Sequence, residues 1–133
     1  MAGSFGNFWE NKILDHIFGK ASYTAPANIF IAVSTTKPAD DGTNVTEPVG
    51  NGYARKQTAP ADWTVSVDGV TKNAVALSFA AATGSWGNLP WFALYDASVA
   101  GNFLAWGDMA TAQTIGNGQT LRFPANALQV SQS

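Results

Sequence analysis

A chain of 133 residues is the size of one domain and long enough to bury a sizeable core. Only 12% of its residues are charged, the net charge is −2 and there is no cysteine. This argues against phosphate-backbone binding, which needs clustered Lys and Arg, and excludes disulfides and thiolate-bound zinc. The start MAGSFGNFWEN has no basic region followed by an apolar core, so no secretory signal is expected, and no apolar run approaches the ~20 residues that span a bilayer. No nucleic-acid or membrane partner is expected.

Residues 1–6 are small and read as a flexible arm. Residues 7–18 are expected to form an amphipathic helix. Asn7 and Glu10 have the spacing of a capping box, Trp9, Ile13 and Ile17 form a stripe widened by Phe8 and Leu14, and Gly19 is placed to end the helix. A helix this short needs a surface to dock on, and it is expected to close one edge or end of a sheet. After the connector Tyr23–Ala27, Asn28–Ser34 is apolar on both faces and reads as a central strand. Thr35–Asn51 is a long loop with two prolines and the turn pairs Asp41-Gly42 and Asn51-Gly52. Loops of this length are functional or mobile. Tyr53–Thr58 alternates and is closed by Pro60, as suits an exposed edge.

Trp63–Val67 alternates into Asp68-Gly69, a strong hairpin signal. A further strand is expected over Ala74–Phe79, with Val75, Leu77 and Phe79 on one side. Gly84–Asp108 then holds Trp86, Trp91 and Trp106 with Phe92, Tyr95 and Phe103. Its two aromatic runs flank the break Asp96–Asn102 and read as a hairpin covered on both faces. The turn Gly116-Asn117-Gly118 leads to short strands over Gln119–Phe123 and Ala127–Val130. The pattern predicts a mainly β fold, an antiparallel β-sandwich or barrel of about seven or eight strands with one N-terminal helix, in a single domain over residues 1–133.

No residue pattern supports catalysis, and no catalytic, cofactor or metal-ligating residue is assigned. His16 is the lone histidine, so a two-histidine metal site is absent, and no Gly-x-Ser-x-Gly nucleophile elbow occurs to support a Ser-His-Asp triad. Gly19-Lys20-Ala21-Ser22 lacks the first glycine and the hydroxyl residue of a phosphate loop. Asp40, Asp41 and Glu47 could offer carboxylates to calcium, but without EF-hand spacing they read as a polar turn. Trp86 and other aromatics near turns could stack on sugars, although packing is the commoner use of tryptophan. Phe5, Phe8 and Trp9 form a cluster suited to a groove on a neighbouring subunit.

The order ENKILDHIFG, IFIAVSTTKPADDGT, TEPVGNGYARK resembles a family of small bacteriophage virion proteins. AVALSFAAATGSWGNLPWFALYDAS, GNFLAWGDM and GQTLRFPANALQV match as well, so the resemblance runs from Glu10 to Val130. Its most specific pieces are Gly52–Arg55, the turn Ala81–Gly87 and Phe92–Asp96. Members of this family are labelled tail-fibre proteins, and similar small β-proteins serve as capsid cement. The resemblance therefore implies a non-enzymatic β-sandwich of the virion, present in many copies. Low charge, compact length and the arm favour a capsid decoration (cement) protein that binds the major capsid protein and copies of itself, as a trimer. The alternative is a tail-fibre or baseplate module touching the host surface or its glycans. Partner contacts are expected at Phe5, Phe8, Trp9, Asp40, Asp41 and Glu47.

Overall fold

In a computed structural model, residues 3–131 are described. Nine strands, one α-helix and a short 3-10 helix (Pro60–Asp62) are found among them. The principal sheet is antiparallel and five-stranded, in the order β1-β7-β6-β2-β3. Its members are β1 (Gly3–Phe5), β7 (Phe103–Ile115), β6 (Gly87–Tyr95), β2 (Ile29–Ser34) and β3 (Lys56–Thr58). Opposite lie two small pairs, β4 (Val70–Lys72) with β9 (Gln129–Ser131) and β5 (Leu77–Ser78) with β8 (Arg122–Phe123). The sheets are stacked as a sandwich and do not close into a barrel. No helix here is long and apolar enough to cross a membrane.

The core lies between the layers. Ile31, Val33, Phe92, Leu94 and Leu104 from the large sheet meet Leu77, Phe79, Leu121, Phe123 and Val130 from the other side. The alternate residues of the central strands, Ala32, Ala93, Tyr95, Phe103 and Trp106, form a second buried cluster on the outer face. The loop 35–51 covers that face, with Val45 packed on the cluster. It is a structured cover, held where the Ser34 hydroxyl accepts from the Thr36 and Thr46 amides at 3.2 and 2.9 Å. Gly42 touches Phe103 so closely that a Cβ there would lie 2.9 Å from the Phe103 Cβ.

The aromatic hairpin and the central strand Asn28–Ser34 appear as β6, β7 and β2. β7 runs on to Ile115, pairing with Gly87–Leu89 beyond an irregularity at Leu89/Trp91. Pro90 sits in that irregularity, where its missing amide breaks no regular ladder. β3 is an edge strand, as its alternation implied. Trp63–Val67 forms no full strand, only bridges from Trp63 to Asn73 and Val67 to Val70 around the Asp68-Gly69 turn. Thr64 still ties to β4, its amide donating to the Lys72 carbonyl and its own carbonyl accepting from the Thr71 hydroxyl, both at 2.8 Å. Val75 is exposed, so the stripe on that segment narrows to Leu77 and Phe79.

The N-terminal arm needs correction. Residues 3–5 are β1, paired with Ala105–Gly107, because β7 offers a free row of backbone groups there. Met1 and Ala2 lie outside the described residues. The helix, α1, spans Asn7–Ile17 rather than 7–18, and Phe18 is its C-cap. Gly6, not Asn7, is the N-cap, without a side-chain bond; its predecessor is tied into β1 and its own amide donates to the Leu104 carbonyl at 2.7 Å. At the other end Gly19 adopts φ +74, its amide donates to the His16 carbonyl and that of Lys20 to Asp15, a Schellman closure. α1 touches β1 and β7.

Candidate functional site

The three N-terminal aromatics do come together. Phe5 on β1 meets Trp9 edge-on at 5.1 Å between ring centres, and Phe8 meets Tyr23 edge-on at 6.2 Å. The Trp9 indole donates to the Tyr23 hydroxyl at 3.0 Å, and the Tyr23 amide donates to His16 Nδ1 at 3.1 Å. These bonds strap the connector 23–27 along the helix. All three aromatics are half-buried against the chain's own core. His16 therefore serves the strap.

The strap separates two depressions. On one side is an open cleft of about 510 Å³, whose walls include Phe8, Tyr23 and Phe30, with Lys12, Asn28, Asp96 and Asn102 among them. Asp96 and Asn102 come from the β6–β7 connection, where the Asp96 carboxylate accepts from the Asn102 amide at 2.7 Å and from its side-chain nitrogen at 2.8 Å. Aromatic walls with a few converging polar groups are the usual make-up of a small-ligand site. On the other side is a groove of about 330 Å³, almost wholly apolar, lined by Phe5, Trp9, Pro26, Ile29, Pro60 and Trp63.

The three acidic residues expected at a contact are placed separately. The Asp40 carboxylate accepts from the Trp106 indole at 3.0 Å, and its backbone carbonyl from the Asn7 amide, so it ties the loop to the start of α1. Asp41 accepts from the amide and hydroxyl of Thr43, and these bonds hold its carboxyl below the usual range. It makes the polar turn that its sequence suggests.

Glu47 is the centre of a clamp. Its carboxylate accepts from Arg55 Nε and Nη2 at 3.0 and 2.9 Å, and from the Tyr53 hydroxyl at 2.7 Å. Burial pushes its pKa up, but the bonds from Arg55 and Tyr53, with the Arg55 charge, outweigh this and hold it below the ordinary value. Tyr53 is pushed far up by burial and by its bond to Glu47. Its hydroxyl also accepts from the Val33 amide at 3.2 Å, beyond the end of β3. Arg55 stacks over Tyr95 at 3.7 Å and donates through Nη1 to the carbonyls of Ala97 and Ala100 at 3.0 and 2.8 Å. The clamp thus fixes the connection that presents Asp96 and Asn102 to the cleft. Two of the four residues Gly52–Arg55, Tyr53 and Arg55, build this clamp.

The family model of the podophage GP4 fiber I protein gp80 matches residues 4–131. The chain belongs to this family. As a member of the gp80 fibre family it is a bacteriophage structural protein and a component of the virion. The match reaches from β1 to the end of β9, so the cleft, the groove and the clamp all fall within it. No curated protein matches the chain. The family is named for a fibre, which favours the tail-fibre alternative over capsid decoration.

Sequence reasoning missed most of the cleft. Tyr23, Phe30, Asp96 and Asn102 lie in segments read as a connector, a buried strand and a turn. Trp86, considered for sugar stacking, is 4% exposed and donates its indole hydrogen to the Asn51 carbonyl at 2.9 Å. It is a core residue.

Proposed function

We propose that this protein is a tail-fibre module that contacts the host surface and binds a glycan in the cleft between α1 and the β6–β7 connection. What carries this reading is the match of nearly the whole chain to a fibre-protein family. The cleft supports it chemically. The rings of Phe8, Tyr23 and Phe30 suit the C–H groups of a sugar, while Asp96, Asn102 and Lys12 suit its hydroxyl and acidic groups. The low charge and compact length that favour capsid cement are equally those of a fibre module.

The protein acts as a binder and leaves the glycan intact, and it works as several copies joined to neighbouring virion proteins. The test is the copy number of this chain relative to the major capsid protein in purified virions, followed by a glycan array. A few copies per hundred capsid subunits and array binding that falls about tenfold in Lys12→Glu is the expected result. A ratio near one would place the protein on the head as cement and overturn the reading. Shortening of the host polysaccharide by the purified protein would overturn the non-enzymatic part.

A further inference from the structure

α1 carries more apolar surface than its own sandwich covers. Leu14, Ile17 and the C-cap Phe18 are 54, 68 and 72% exposed. They form a knob on the outer end of a rigid helix. The apolar groove lies at the inner end of the same helix, where Trp9 lines it. At 1.5 Å per residue, Trp9 and Phe18 are roughly 13 Å apart along the axis, so the knob cannot turn back into its own groove.

We infer that the knob of one copy seats in the groove of a second copy of this chain, and that the contact is reciprocal. The sizes decide between a one-way and a two-way contact. Phe18 alone leaves on the order of 150 Å² in solvent, and the three knob side chains together roughly 400 Å². A single knob with the groove wall it fills would bury about 500 Å² in all, the size of a weak lattice contact. Two such contacts related by a two-fold axis bury about 1,000 Å², the lower limit for a specific interface. In a two-fold pair residue i meets j and j meets i, so one interface satisfies both knobs and both grooves.

The inference does not rest on glycan binding. Its test is sedimentation equilibrium of the full chain, with Phe18→Ser on the knob and Ala25→Arg at the exposed lip of the groove. Neither residue is buried, so both variants keep the wild-type circular dichroism and melting temperature. The expected result is a wild-type dimer at micromolar concentration and dissociation constants raised roughly 30-fold or more in each variant. In an equimolar mixture the Ala25→Arg knob meets the open Phe18→Ser groove while the reciprocal contact stays broken, so the heterodimer is weaker than the wild-type pair but tighter than either variant with itself. A wild-type chain that stays monomeric, or a dimer that survives both substitutions, would overturn the inference. A mixture that pairs no more tightly than either variant alone, or as tightly as the wild type, would overturn the reciprocal knob-in-groove geometry.

Discussion

Replacing Arg55 with methionine keeps the length and most of the apolar contact over Tyr95 while removing the charge and every donor. Arg55 and Glu47 side chains are 8 and 24% exposed, so the pair lies nearer the buried than the surface limit. Surface pairs contribute about 0–1 kcal/mol, whereas losing one partner of a buried pair costs about 3–5 kcal/mol. Glu47 keeps its bond from Tyr53 and some water, which puts Arg55→Met at about 3 kcal/mol. In a chain of this size that lowers the melting temperature by roughly 10 °C. The informative assay is a double-mutant cycle with Glu47→Gln, which retains an acceptor for Tyr53. A coupling of about 2 kcal/mol is expected, because each single change strands the other group and the double change strands neither. Hydrogen exchange should also quicken in the connection 97–102, where Arg55 holds the Ala97 and Ala100 carbonyls. A coupling below about 0.5 kcal/mol would show that the clamp behaves as an ordinary surface ion pair.

The same carboxylate gives a pH dependence. The Glu47 pKa is depressed in the fold, so its contribution is complete above the unfolded value of about 4.3 and is lost as pH falls through the folded value. Acid titration of the melting temperature should therefore drop more steeply below about pH 4 in the wild type than in Glu47→Gln. Asn73 is fully buried, donates to the carbonyls of Val75 and Pro124 at 2.9 and 2.8 Å and accepts from the Leu128 amide at 2.9 Å. Asn73→Ala strands three backbone groups in the second layer and should cost about 3 kcal/mol in chemical denaturation. Gly42→Ala combines a positive φ of +84 with a Cβ pressed on Phe103, and a loss of about 2 kcal/mol is expected in the same assay.

The fold was legible where side chains carry the signal. β2, β6 and the start of β7 are apolar on both faces, and such runs can only be central strands with cover above and below. Elements set by the backbone were not legible. β1 exists because β7 has a free edge, and Gly3, Ser4 and Phe5 give no alternation to announce it. In the far half of β7, residues 110–114 are small or polar because their outer face is solvated, and the strand's end is set by the pairing of residues 113–115 with Gly87–Leu89. The cover on the outer face was expected from the chain or a partner. The loop 35–51 supplies it, and its Asp40, Asp41 and Glu47 are drawn largely into that internal task.

The candidate site was legible in one respect that the stripe reading obscured. At 100° per residue a docked helix needs an apolar arc of roughly a third of its circumference. In α1, Phe8, Trp9, Ile13, Leu14, Ile17 and the following Phe18 spread over more than half of it. One sandwich can cover only part of so wide an arc. Trp9 and Phe8 take the covered part and build the walls of the groove and the cleft. Leu14, Ile17 and Phe18 are the remainder, and a second copy is the surface that would cover them. If the reciprocal pair forms, it also sets two clefts on one particle, since each cleft shares Pro26 and Ala27 with a groove. Two linked sites bind a surface of repeated glycans by roughly a hundredfold or more over one. Phe18→Ser, which leaves the cleft untouched, should then weaken binding to whole cells far more than binding to a free oligosaccharide. Equal loss on both would show that the helix end acts on the cleft itself rather than through the pairing of copies.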